Sequence, residues 1–214
     1  MQVLECTKTI LGNEIQLFGF ENCENPTLII GVFHGDEPQG KYLIEKYLRD
    51  CIRFQTNPNY KGNEILFIPC LNPDGLQKGT RTNANGVDLN RNFPTKNWEL
   101  TERNEFFGGE SPASEIETRF IVDIIEKYKP KEILTLHAPF KIVNYDGNAK
   151  DLAEKISEII DYPVEGNIGY PTPGSFGTYA GIEKKIPTIT LELDEICPVQ
   201  DLVEPVHRIF DLFL

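Results

Sequence analysis

Residues 27–48 read TLIIGVFHGDEPQGKYLIEKYL. Thr27 to Phe33 is a short apolar run rich in β-formers, which fits a buried central strand. Pro38 stands where a helix can begin, and Gln39 to Leu48 carries Tyr42, Leu43, Tyr47 and Leu48 along one helical stripe. A strand that passes through His34-Gly35-Asp36-Glu37 into a helix predicts an α/β unit. The alternation recurs along the chain. Glu64 to Ile68 reads as a strand, followed by Asn72-Pro73-Asp74-Gly75, a strong turn signal. Ser111-Pro112-Ala113-Ser114 opens a helix, capped by Ser111 or by Ser114, that runs to about Tyr128 before Pro130. Lys131 to Leu136 is a third strand and delivers His137 at its end. Lys150 to Ile160 is an amphipathic helix, Gly166 to Gly181 a glycine-rich loop, Pro187 to Leu193 a fourth strand, and Gln200 to Phe213 a closing helix. The expected fold is α/β: a mixed, mostly parallel twisted sheet with helices on both faces. One domain spanning residues 1–214 is expected from the length.

Composition sets bounds on function. Acidic residues outnumber basic ones 33 to 21, for a formal net charge of -12. That sign opposes nucleic acids and anionic membranes, whose binding relies on Lys and Arg. The longest apolar runs fall far short of the ~18 residues that span a bilayer. The first residues lack a basic start followed by an apolar stretch, so a cytoplasmic location is expected. The five cysteines are widely spaced without a CxxC pair. Reduced, mostly structural thiols are the expectation, and a cysteine-based zinc site is not. A homodimer is compatible with the sequence, although no residue points to one.

The chemistry concentrates at strand ends, where ligands bind in open α/β sheets. His34 and Glu37 can turn toward one metal ion, and zinc accepts imidazole and carboxylate donors. Taken alone, the pair also fits a solvated turn. His137 ends a strand as either a ligand or a structural histidine. His207, the third histidine, reads as a surface residue of the last helix. Glu192 sits within an apolar strand, where a carboxylate costs free energy unless it is paired or functional. Near a metal-activated water it would serve as general base; on an edge strand it would simply face outward. The irregular stretch from Leu76 to Glu110 holds Arg81 and Arg91 amid Asn and Asp. Arginine grips carboxylates through a bidentate fork and stabilises oxyanions. Lys78 to Arg91 thus forms an anion trap within an acidic chain.

HGDE (34–37), NPDG (72–75), GVDLNRNFP (86–94), the strand-ending His137 and TLEL (190–193) together resemble the zinc carboxypeptidases of the M14 type. TRTNANGVDLNRNFP (80–94), followed by Asn97-Trp98, and GYPTPGSFG (169–177) are similar to the bacterial murein peptide amidases within that family. The resemblance implies one zinc ion per chain held by His34, Glu37 and His137. It implies Glu192 as general base and acid, Arg81 as the oxyanion holder, and Asn90 with Arg91 as the grip on a substrate carboxylate. Tyr170 matches a mobile tyrosine over the substrate, and also reads as a loop aromatic packing on the core. The implied substrate is a small peptide with a free carboxylate, cut at the γ-D-glutamyl–diaminopimelate bond during cell-wall recycling. The rivals are a metallocarboxypeptidase trimming C-terminal residues, an aspartoacylase-like deacylase and a non-catalytic zinc or carboxylate-binding protein. Retention of both Glu192 and Arg81 argues against the last. Asp194 and Glu195 add negative charge beside the site, which predicts that Asp194 contributes affinity for a cationic amine.

Overall fold

The computed structural model describes residues 1–21, 23–51, 65–166, 169 and 171–214. Strands β1 (Gln2–Lys8) and β2 (Glu14–Gly19) form an antiparallel hairpin. Next come β3 (Thr27–Gly31), helix α1 (Gln39–Cys51), β4 (Ile65–Ile68) and helix α2 (Pro73–Lys78). Helix α3 (Ile116–Tyr128), β5 (Glu132–His137), β6 (Ile142–Asp146), α4 (Lys150–Ile160), β7 (Val164–Glu165), β8 (Thr188–Glu192) and α5 (Val203–Asp211) complete the order. The strands make one sheet in the order β1-β2-β4-β3-β5-β8-β6-β7. Its centre, β4-β3-β5-β8, is parallel, while β2, β1 and β6 join antiparallel. The mixed, mostly parallel sheet expected from the sequence is thus present.

Burial explains why the centre was readable. Every residue of β3 and β4 is buried, so these strands are apolar on both faces. Ile29, Phe67 and Leu134 look to one face, where Leu43 and Ile44 of α1, Ile156 of α4 and Phe210 of α5 cover them. Leu28, Ile30, Leu66 and Ile133 look to the other, against Ile121, Ile124 and Ile125 of α3. The side-chain period of two along each strand sorts the residues between these layers.

Several local expectations change. Asn72-Pro73-Asp74-Gly75 starts a helix rather than a simple turn. Asn72 Oδ1 accepts the Gly75 N–H at 2.9 Å, and Pro73 takes the first helical position. Neither Ser111 nor Ser114 caps α3: Glu115 holds the cap position, and Ser114 Oγ donates to Glu115 Oε1 at 2.7 Å. The closing helix is shorter than expected, and the end of the glycine-rich loop winds into a π-helical turn, Thr178–Glu183. Glu64 lies outside the described residues. His207 is half-buried rather than a surface residue; its Nε2 lies 3.1 Å from the Leu43 carbonyl, and its ring packs on Tyr47 and Phe210. Cys6, Cys70 and Cys197 are free thiols. Among the described residues no helix is long and apolar enough to cross a membrane.

Gly35 locks the turn after β3 onto α2. A Cβ at Gly35 would stand 2.0 Å from the Gly75 carbonyl carbon. Gly35→Ala is therefore expected to cost about 1–3 kcal/mol by overpacking. That corresponds to roughly 2–4 °C of melting temperature per kcal/mol in a chain of this size. A thermal melt unchanged by the substitution would refute the close approach.

Candidate active site

The sheet places its polar residues at the carboxyl ends of β3, β5 and β8. Strand order reverses at β3, which pairs β4 on one side and β5 on the other. Open α/β sheets form their ligand crevice at such a switch. Val32, directly after β3, has φ +56°, a costly conformation for a β-branched residue. The kink precedes Phe33 and His34. Phe33 stacks on the His137 ring at 5.2 Å and packs on Phe93 and Phe176, giving the site an aromatic floor. His137 and Glu192 are register partners at the ends of the parallel pair β5 and β8.

His34, Glu37 and His137 converge, with one potential donor atom from each within 4.8 Å of the others. His34 Nδ1 lies 2.7 Å from Glu37 Oε1, and His137 Nδ1 lies 3.1 Å from Glu37 Oε2. Burial works against the charge on His34, but the Asp88 and Glu37 carboxylates outweigh it and raise its pKa to about 9. Burial would likewise raise the pKa of Glu37, yet hydrogen bonds from His137 and His34 hold it at about 2. Two imidazoles and a carboxylate on facing strand ends form a donor set that suits zinc.

Asp88 organises this set. It is fully buried, and its Oδ1 lies 3.1 Å from His34 Nε2, turning Nδ1 toward Glu37. Outer carboxylates orient metal-binding histidines in this way, which strengthens the fit to a metal. Asp88 Oδ2 takes the Arg81 fork through Nε at 3.0 Å and Nη2 at 2.9 Å. Arg81 Nη1 is left 3.8 Å from Glu37 Oε1, and its guanidinium lies over the Phe106 ring. Oδ1 of Asp88 also accepts the Asn90 N–H at 2.8 Å, capping the short 3₁₀ turn that carries Asn90 and Arg91. Despite the cost of burial, these cations keep Asp88 ionised well below the usual carboxylate range. From the sequence alone Asp88 carries no assigned role. The Asp88-x-Asn90 spacing, an Asx cap before a turn, was the available signal.

One cavity of about 550 Å³ is lined by His34, Glu37, Arg81, Asn90, Arg91, His137 and Glu192, so these predicted residues share a single space. Glu192 is 8% exposed, and its Oε2 is buried without a hydrogen-bond partner. Burial raises its pKa, partly offset by His137. Asn90 Oδ1 accepts the Phe176 N–H at 2.8 Å, which leaves its Nδ2 free to donate into the cavity. Arg91 is 7% exposed and donates to the Asn90 carbonyl at 2.7 Å. Among the described residues it has no carboxylate at ion-pair distance, so its charge is available to a ligand.

Three expectations need correction or fall away. Lys78 is exposed at the end of α2 and does not line the cavity, so the anion trap narrows to Arg81 and Arg91. Asp194 is occupied: it pairs with Lys141 Nζ at 3.0 Å and accepts the Ile196 and Cys197 N–H groups. Glu195 lines the cavity, and so does Asp146, which no sequence motif singles out. Tyr170 lies outside the described residues.

The sequence profile of the zinc carboxypeptidases (Peptidase M14) matches residues 1–164. The chain is 33% identical over 181 residues to murein peptide amidase A of Escherichia coli strain K12, covering 79% of this chain and 71% of that protein. The corresponding protein of Vibrio campbellii is 32% identical over 208 residues, covering 88% and 78% of the two chains. The crystal structure of the murein-tripeptide amidase of E. coli O157 superposes with a TM-score of 0.82 at 28% identity, covering 96% of this chain and 89% of that one. Bovine thrombin-activatable fibrinolysis inhibitor shares the fold at 16% identity, with a TM-score of 0.78 and coverage of 99% and 90%. By profile, by identity and by fold, the chain belongs to the zinc carboxypeptidase family and is a hydrolytic enzyme of that type.

Proposed function

We propose that the chain, as one catalytic unit, is a zinc-dependent amide hydrolase that cleaves the γ-D-glutamyl–diaminopimelate bond of murein tripeptide in cell-wall recycling. The reading rests on the convergence of a His-Glu-His donor set, an unpartnered carboxylate oxygen and an unpaired guanidinium in one cavity. Similarity to murein peptide amidases over most of the chain supports the substrate class. His34, Glu37 and His137 would hold the zinc. Zinc bound there supplies a Lewis acid and makes water a usable nucleophile at neutral pH.

The remaining work falls to side chains. Glu192 takes the proton of the attacking water on Oε2 and returns it to the leaving nitrogen; its burial-raised pKa suits both tasks. Arg81, fixed by Asp88, presents Nη1 to the developing oxyanion. Arg91 and Asn90 Nδ2 hold the free carboxylate of the leaving residue, which sets where the scissile bond lies.

Purified zinc-loaded protein, assayed on murein tripeptide beside C-terminal peptides and N-acyl amino acids, tests the reading. A kcat/KM on the tripeptide at least about tenfold above the others is expected, the margin that placed polar contacts deliver. Turnover confined to C-terminal α-peptide bonds would make it a carboxypeptidase, and turnover confined to N-acyl amino acids a deacylase. Arg91→Ala removes a charge-assisted contact of about 1.5–3 kcal/mol. It should raise KM by about 10- to 100-fold with a smaller change in kcat. An unchanged KM would remove Arg91 from carboxylate binding.

A further inference from the structure

Asn83, Asn85 and Asn92 belong to the stretch that carries Arg81 and Arg91, yet none of the three lines the cavity. Their side chains hold the backbone instead. Asn83 is 4% exposed, and its Oδ1 accepts the Asn85 and Val87 N–H groups at 3.0 and 3.1 Å. Those bonds close the loop that brings Asp88 back beside Arg81. Asn83 Nδ2 points the other way and donates to Glu115 Oε2 at 2.8 Å. Asn85 Nδ2 donates to the same oxygen, also at 2.8 Å. Glu117 stands farther off, 3.4 Å from Asn83 Nδ2.

The second oxygen of Glu115 leads to the second arginine. Ser114 Oγ donates to Glu115 Oε1 at 2.7 Å and accepts Asn92 Nδ2 at 2.9 Å. Asn92 directly follows Arg91 and is fully buried. Its Oδ1 accepts the Glu115 N–H at 3.1 Å. The Arg91 carbonyl is closely walled: a Cβ at Gly108 would stand 2.6 Å from it, and one at Gly174 only 2.1 Å. Glu115 itself is 5% exposed and holds the cap position of α3, where it makes no side-chain cap bond. A cap residue ordinarily uses its side chain on the first N–H groups of its helix. This carboxylate, an acceptor with room for several donors, is committed to two loops instead.

We propose that Glu115 is a positioning residue: by tying the Asn83 loop to the Asn92 turn, it fixes the separation of Arg81 from Arg91. That separation sets the distance between the scissile carbonyl and the carboxylate of the leaving residue. The proposal rests on the amide-hydrolase reading and deepens it. Glu115 does not line the cavity and acts only through the two loops. An α-amino acid puts a single carbon between the leaving nitrogen and its carboxylate, and the frame hung from α3 is matched to that spacing.

The test compares murein tripeptide with a homologue that has one methylene inserted between the leaving nitrogen and the nearest carboxylate. A C-terminal α-peptide and its methylene-inserted homologue run alongside. The zinc-loaded wild type should favour the natural spacing by about 10²-fold in kcat/KM, the cost of a misplacement of about 1 Å. Glu115→Ala should narrow that ratio to within about tenfold. Glu115→Gln keeps an acceptor oxygen for Asn83 and Asn85 and should preserve the ratio. Ser114→Ala removes only the hydroxyl between Glu115 and Asn92 and should narrow it. The ratio does not depend on how much of the enzyme is folded, so a merely structural role leaves it unmoved. An unchanged ratio in Ser114→Ala would overturn the proposal, even where Glu115→Ala failed to fold. Wild-type indifference to the inserted methylene would overturn it without any variant. The expected pattern confined to the α-peptides, with murein tripeptide uncleaved, would overturn the amidase reading and leave Glu115 standing.

Discussion

Glu192→Gln keeps its zinc and loses about 10²–10⁴-fold in kcat, the range that one positioned acid–base group supplies. The substitution preserves size and removes the capacity to carry a proton. Glu192 Oε2 is buried without a partner, and the glutamine carbonyl can still accept the Phe140 backbone N–H that the carboxylate accepts. A buried carboxylate with one oxygen unpartnered is a burden on stability, and the melting temperature of the variant should equal or exceed that of the wild type. Metal analysis and a thermal melt accompany the rate measurement. Full activity in the variant, with zinc bound, would end the assignment of Glu192 as the base. Loss of zinc would instead make it a ligand.

Asp88→Asn is expected to weaken zinc by about 10- to 100-fold and to lower kcat/KM beyond that, because outer-shell partners of metal-binding histidines act at this level. One carboxylate here serves three neighbours: the far nitrogen of His34, the Arg81 fork and the Asn90 N–H. Asparagine retains the cap on Asn90, since asparagine and aspartate are near-equal at such positions. The 3₁₀ turn should therefore persist while His34 and Arg81 lose their anion. Zinc titration separates the effects: excess zinc should restore occupancy and leave the Arg81 deficit in kcat. Unaltered zinc affinity would contradict the orienting role.

The parts of the fold that could be read were those with one dominant signal. Strands such as Leu28-Ile29-Ile30 are buried on both faces and stay apolar throughout. Helix α4 carries a clear apolar stripe through Ala153, Ile156 and Ile160. The β1–β2 hairpin escaped because β1 is half-exposed and mixes Glu5, Cys6, Thr7 and Lys8. β7 is too short to leave a pattern. Asn72-Pro73-Asp74-Gly75 was misread because the residues that favour a turn also favour a helix start, and the following side chains decide.

The site divides in a similar way. His34, Glu37, His137 and Glu192 were each ambiguous alone, and only their order within motifs that resemble the zinc carboxypeptidases made them candidates. Asp88 and Asp146 were not candidates, since a carboxylate's role depends on which cations reach it. Asp88 meets two, and Asp146 meets none among the described residues. Asp194 looked available in sequence only because Lys141, which neutralises it, lies on another segment.

The separation of the candidate metal ligands along the chain also fixes the order in which they are synthesised. His137 follows Glu37 by 100 residues. At about 5–20 residues per second, roughly 5–20 s pass before the third donor exists. His34 and Glu37 alone are an incomplete chelate, and β5 must dock beside β3 before His137 faces them. Glu192 comes later still, on β8, the last strand in chain order. A metal held by these three residues has to await the pairing of β3 with β5, and proton transfer by Glu192 has to await β8.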